Sequence, residues 1–306
     1  MKKKIVFMVC LCMAGVSQAK VFRVNNVAGM APYQQIQDAV NAASDGDTIM
    51  VDGAVEPYKE AIIDKQLVIV GPGYFLTENG IVKANNRAAK VNGMRIEKAG
   101  VTIMGMSFNT MYKFTIKAPK TVVTRCYFDN STSPSIAEGA DNCVFHQNYF
   151  FYESVGCNDS NNHQFTNNIF QRGYVNNLRN SYIGYNTFCL NEAISTWRDD
   201  GNTFEKNIVS GWEASNWLSS NTFIDNYIFS SGAFMDGRAY PENDKQVLER
   251  TNALTATATG YGAFSGNDPY QLSGIPAGPI IEQLTVPASV EEGSPLNVTI
   301  KLGLQK

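Results

Sequence analysis

All the tryptophan of this chain, Trp197, Trp212 and Trp217, lies within one short stretch. Around it stand Tyr174, Glu192, Arg198, Asp199, Asp200, Glu213, Asp236 and Arg238. A sugar ring presents C–H bonds on its flat faces and hydroxyls at its edges. Aromatic planes beside carboxylates and guanidinium groups suit such a ligand, with stacking for affinity and bidentate bonds for orientation. Trp197, Trp217, Trp212, Tyr174 and Glu213 are therefore the candidate substrate-binding residues. The competing reading packs the tryptophans under a loop or against the C-terminal segment, since an average Trp is highly buried.

Cleavage would need more. General acid–base work requires two groups within reach of one substrate atom. Arg198, Asp199, Asp200, Glu192, Asp236 and Arg238 supply suitable types, but their spacing forms no single cluster. An Asp-Asp pair in a turn is more often just solvated, because acids are rarely buried. His146 and His163 stand at different offsets before their nearest motif asparagine, share no face and have no Ser or Cys nucleophile motif nearby. Both are read as structural. With two histidines and no CxxC, a zinc site is not supported. No resident metal or cofactor is assigned.

The elements that must position these residues come from a repeat. An apolar-x-x-Asn-x-apolar motif recurs as Phe145…Asn148…Phe150, Phe165…Asn168…Phe170, Ile183…Asn186…Phe188, Phe204…Asn207…Val209 and Phe223…Asn226…Ile228. Two earlier copies, Ile103…Met106…Phe108 and Val123…Cys126…Phe128, keep the apolar pair and replace the amide. A second column of strand-like segments is centred on Ile96, Ile116, Ile136, Val155, Val175, Ile194, Ala214 and Phe234. A period of about twenty residues means a solenoid. If the second column points inward, positions three residues past its centre point outward. Those are Leu178, Trp197 and Trp217 on successive coils, which makes the last two stacked neighbours on one flank.

One coil cannot bury its Phe, Ile and Val side chains alone. Stacked at about 4.8 Å, like side chains meet, and each buried Phe or Ile gains roughly 1.5–3 kcal/mol. Asn tolerates unusual backbone angles at a tight turn, and stacked amides satisfy one another along the axis. Leucine-rich repeats share the motif but need apolar residues upstream, where Cys143, His163, Ser181, Asn202 and Asn221 stand. The fold class expected is all-β: a right-handed parallel β-helix of roughly twenty-residue coils.

Lys2-Lys3-Lys4, an apolar run from Ile5 to Val16 and Ser17-Gln18-Ala19 have the form of a secretory signal peptide over residues 1–19. Neither Cys10 nor Cys12 follows a small residue, which argues against a lipoprotein. No other stretch is long and apolar enough to span a membrane. Removing three lysines takes the formal charge from −3 to −6, and an acidic surface argues against nucleic acid. Cys126, Cys143, Cys157 and Cys189 remain. Export permits disulfides, yet nothing in the spacing pairs them, and buried thiols fit equally well.

Residues 32–45 predict an amphipathic helix capping the first coil, before a turn and strand over Gly46–Val51. Leu67 to Val70 begins the next coil, and residues 75–90 are expected to form an outward loop. The coils make one domain over residues 20–275, ending in a last irregular coil and loops over 236–275. A strand pair follows in residues 276–306, with Leu284-Thr285-Val286 against Leu296, Val298, Ile300 and Leu302 as a hairpin that caps the lower end, the favoured reading, or docks on a partner.

The run Tyr33 to Val40, Gly46-Asp47-Thr48-Ile49, Tyr58-Lys59-Glu60 and the Ile69-to-Gly73 turn, followed by Asn-bearing coils, resembles the start of secreted right-handed β-helix proteins of the pectin-lyase-like superfamily. The resemblance covers roughly residues 21–235 and implies fold rather than activity. Against its lyases, Asp199, Asp200 and Asp236 with Arg198 or Arg238 match residue types, and calcium would be implied only for that version. Arg198-Asp199-Asp200 faintly echoes its polygalacturonases, whose other motifs are missing. Glu192-Ala193-Ile194-Ser195…Arg198 loosely matches its alginate lyases, with arginine in place of lysine. The function expected is binding of an extracellular polysaccharide along the flank, with a structural or adhesive module as the alternative.

Overall fold

The computed structural model describes residues 19–77, 85–108, 113–129, 133–152, 154–189, 194–195, 200–210, 220–229, 258–276, 278–287, 289, 293 and 295–305. The chain winds as a parallel β-solenoid with three faces. Each full coil gives one strand to a 10-stranded first face, one to an 8-stranded second face and one to a 7-stranded third face. Thr102–Met104, Ser107–Phe108 and Phe114–Ile116 trace one passage across the three faces, in that order. All pairings on these faces are parallel and run coil to coil; Val123, for example, pairs with Ile103 above and Phe145 below.

The core is built from like on like. Phe128, Phe150, Phe170 and Phe188 stack with ring centroids 4.9, 4.6 and 4.8 Å apart and nearly parallel planes. The spacing is that of the strands themselves. Offset stacking adds to area burial, so a Phe150→Ala cavity should cost about 3–5 kcal/mol.

The motif asparagines form a continuous ladder at the turn between the first and second faces. Asn148, Asn168, Asn186 and Asn207 each donate Nδ2–H to the Oδ1 of the next, at 3.0, 3.0, 3.1 and 2.9 Å. The same Oδ1 accepts the backbone N–H of the residue above it, and each Nδ2 also reaches a carbonyl one coil earlier. Cys126 stands at the head, its N–H donating to Asn148 Oδ1 at 2.9 Å. The residue before each ladder position is left-handed: Gly105, Arg125, Gln147, Asn167, Tyr185, Lys206 and Asp225 all have positive φ. Only one of these is glycine. The stacked turn overrides the usual cost of that conformation.

A second ladder occupies the turn from third to first face. Cys143 N–H donates to His163 Nδ1 at 3.2 Å, His163 N–H to Ser181 Oγ at 2.9 Å, Ser181 N–H to Asn202 Oδ1 at 2.8 Å and Asn202 N–H to Asn221 Oδ1 at 2.9 Å. These are the polar residues that set the sequence apart from leucine-rich repeats. Their types differ, but each offers an acceptor at one place.

Several expectations are corrected. The second column slips by two residues: Ile136 pairs with Cys157, and Val155 belongs with Val175 and Ile194. Positions two apart face the same side of a strand, so the apolar pattern could not reveal the slip. Leu178, expected outside, is fully buried. Asn177 turns left-handed immediately after the two-residue strand Val175–Asn176, so alternation stops before it reaches Leu178. The helix is confined to Ile36–Ala42, because Tyr33 bridges Val24 as extended chain. Its Ile36, Ala39 and Val40 enter the core. Residues 78–84 lie outside the described part, while Lys90–Val91 returns as the first strand of the second face.

Residues 258–276 do not form a last coil. They run as a strap back up the solenoid, against the chain's direction of winding. Tyr261 donates to Asp225 Oδ1 (2.7 Å), Gly262 N–H to the Lys206 carbonyl (2.9 Å), and Asn167 Nδ2 to the Ala263 and Ser265 carbonyls (3.0 and 2.8 Å). Gln147 Nε2 donates to Asp268 Oδ1 (2.9 Å) and the Pro269 carbonyl (2.7 Å), and Arg125 Nη1 to the Ile275 carbonyl (2.8 Å). Beneath the strap, Tyr127, Tyr149, Ile169 and Ile208 of the outer second face pack with Ala263 and Tyr270 in a second apolar cluster. The strands Gly278–Thr285 and Thr299–Gln305 then pair antiparallel. This hairpin leaves the body beside Gly105 and Arg125, whereas the lower end of the solenoid is coils away.

Candidate functional site

The outer third face carries one outward residue per strand. Ile62, Arg95, Thr115, Ser135, Gly156, Asn176 and Ser195 lie in register down the axis. Ile62 to Asn176 are all half-buried, and of these only Ile62 and the bare Gly156 carry no polar side-chain group. Asn158 Nδ2 donates to Ser135 Oγ at 3.0 Å, and Arg95 Nε to Glu97 Oε1 at 2.7 Å. Thr115 and Ser135 bring hydroxyls and Asn176 an amide to this row, with Gly156 leaving a gap between Ser135 and Asn176, and with Arg95 and Ile62 above.

The turns that lead into this face supply its border. The Arg172 guanidinium sits 4.7 Å from the centroid of the Tyr152 ring, a cation–π arrangement. Phe151 meets Tyr152 edge-on at 4.5 Å. Burial lowers the pKa of Arg172 while Tyr152 opposes the shift. Tyr174, half-buried, precedes the strand Val175–Asn176 and donates its N–H to Ser154 Oγ at 3.2 Å. The Tyr152–Arg172 pair was not singled out from sequence. The signal was there: each lies two residues past the second phenylalanine of its motif.

Of the candidate residues, Glu192, Trp197, Arg198, Asp199, Trp212, Glu213, Trp217, Asp236 and Arg238 lie outside the described residues. Asp200 is exposed in the turn from third to first face, bridged in parallel to Arg179, its N–H donating to the Leu178 carbonyl at 3.1 Å. Tyr174 and Asp200 flank the third face on opposite sides, one before its strand and one after. No hydrogen bond or ion pair joins them. Among the described residues no group of three or more His, Cys, Asp or Glu is placed to hold a metal ion.

The histidines are bound into the fold. His163 is buried, takes the Cys143 N–H on Nδ1 and directs Nε2 to Ser160 Oγ at 2.9 Å. Burial pushes its pKa down to about 4. His146 joins Thr166 Oγ1 (2.8 Å) to Asp268 Oδ2 (2.9 Å) in the strap. Among the described residues Cys126, Cys143, Cys157 and Cys189 are buried and form no disulfide, and burial raises Cys126 to about 12 and Cys143 to about 11. Cys126 and Cys143 are thereby inert as nucleophiles.

Among the described residues no helix is long and apolar enough to cross a membrane. No family model, curated protein or solved structure matches the chain.

Proposed function

We propose that this chain is an exported, right-handed β-helix of the pectin-lyase-like kind that binds an extracellular polysaccharide along its third face. The row from Arg95 to Asn176 carries the reading: Arg95, Thr115, Ser135 and Asn176 stand in register at outward positions, with the bare Gly156 between the last two, as sugar hydroxyls recur along a polymer. The Tyr152–Arg172 pair borders the row, and Trp197 and Trp217 extend the aromatic supply in sequence. The N-terminal segment through Ala19 supports export.

A glycan array on residues 20–306, with and without calcium, tests this. Binding should fall in Trp197→Ala, Trp217→Ala and Arg172→Ala while the β signature in circular dichroism stays. Binding unchanged in all three would remove the third face as the site. A cleaving version adds that an acidic polymer is degraded and that Arg198→Ala abolishes this.

A structural or adhesive role is favoured by one observation. Val286, Leu296, Val298 and Ile300 in and beside the hairpin are 50, 58, 45 and 54 % exposed. Deleting residues 284–306 separates the readings: loss of assembly with glycan binding kept supports the adhesive one.

A further inference from the structure

The outer second face, covered by the strap over its middle coils, opens at its upper end into a cleft of about 280 Å³. Its floor is the outward row Lys90, Ser107 and Tyr127, in register on neighbouring strands. Phe75, Leu76, Asn86 and Ala88 line it as well, and Asp129 stands at the end of the Tyr127 strand. Ser107 is 2 % exposed. Its hydroxyl makes no hydrogen bond among the described residues, and neither do the Lys90 ammonium and the Asn86 amide. A buried hydroxyl without a partner is uncommon enough to need an explanation, and here it lines an open cleft.

We propose that this cleft holds a single acidic sugar ring, with its carboxylate on Lys90, a ring hydroxyl on Ser107 Oγ and its apolar face toward Phe75 and Tyr127. The volume sits just below the roughly 300–1,000 Å³ of drug-sized pockets, room for one ring and not for a chain. One cation matches one carboxylate. A phosphate, with more charge, would meet Asp129 at the same rim, whereas a sugar hydroxyl can donate to it. The ligand class rests on the polysaccharide reading, but the residues are different from those of the third face.

The test is an NMR titration of residues 20–306 with methyl glucuronoside, and with methyl glucoside as the neutral probe. The glucuronoside should shift resonances of the Lys90, Ser107 and Tyr127 strands, and the glucoside should bind at least about tenfold more weakly, the worth of one charge-assisted bond. Lys90→Met should weaken the glucuronoside by a similar factor, Ser107→Ala by less, and Arg172→Ala should leave it unchanged. Lys90 is half-exposed, so its variant keeps the test sharp if Ser107→Ala disturbs packing. Equal binding of both glycosides, or no binding of the glucuronoside, overturns the proposal. Binding lost in Arg172→Ala but kept in Lys90→Met moves the ligand to the third face, overturning the cleft while leaving the polysaccharide reading in place.

Discussion

Asn168 shows what one side chain does in this fold. Its Oδ1 accepts both the N–H and the Nδ2–H of Asn148, and its Nδ2 donates to the Phe145 carbonyl and to Asn186 Oδ1. Alanine there strands several buried groups at once. Each unsatisfied group costs about 1–3 kcal/mol, so Asn168→Ala should lose about 3 kcal/mol or more in urea unfolding, while Asn226→Ala at the half-exposed end should lose less. Equal losses would mean the ladder is not cooperative. His163 gives a pH signature. Its Nδ1 already accepts a backbone N–H, so protonation sets donor against donor. The folded pKa of about 4 lies below the ordinary 6.5, so the unfolded chain binds the extra proton more readily. The contribution is fully present above about pH 6.5 and is lost as pH falls toward 4, on the order of 3 kcal/mol in all. Replacing it as His163→Asn, which retains an acceptor, should flatten stability across that window. A slope unchanged by the substitution would place the titration elsewhere.

Elements differ in how far they could be read. The first and second faces were legible because the asparagine pins each strand to a turn, leaving no freedom of register. The third face was legible only in phase, since Ile136 and Val155 both face inward and their two-residue offset is silent. Where its strands shorten to two residues, extrapolating outward positions failed at Leu178. The strap left no trace in the pattern at all. Its bonds come largely from backbone carbonyls meeting Asn167, Gln147 and Arg125, and no residue type announces a carbonyl. One strap position is sterically demanding. Gly274 has positive φ, and a Cβ there would collide with the Tyr74 ring and the Arg125 carbonyl. Gly274→Ala should therefore loosen the strap by about 2 kcal/mol. Hydrogen exchange should rise over residues 258–276 and stay protected at Phe145 and Phe165; loss of protection in both would show that strap and coils unfold as one.

At the scale of the whole molecule, a solenoid made only of nearest-neighbour contacts would tolerate loss of a coil. Val144 pairs with Gln164 in register, so deleting residues 144–163 rejoins the chain at the same lateral place one coil on. Cys126 would then meet Asn168 instead of Asn148, and Phe128 would meet Phe170. The strap breaks this modularity. Its anchors at Arg125, Gln147, Asn167, Lys206 and Asp225 are spaced to the coils beneath, and the deletion removes Gln147 and His146 while leaving the strap one strand spacing, about 4.8 Å, too long. The shortened protein should keep its β circular dichroism and lose about 2–4 kcal/mol, the worth of the missing strap bonds, together with exchange protection over residues 258–276. Retained protection there would mean that the strap slides to a new register, and loss of the β signal would mean that the coils depend on more than their immediate neighbours.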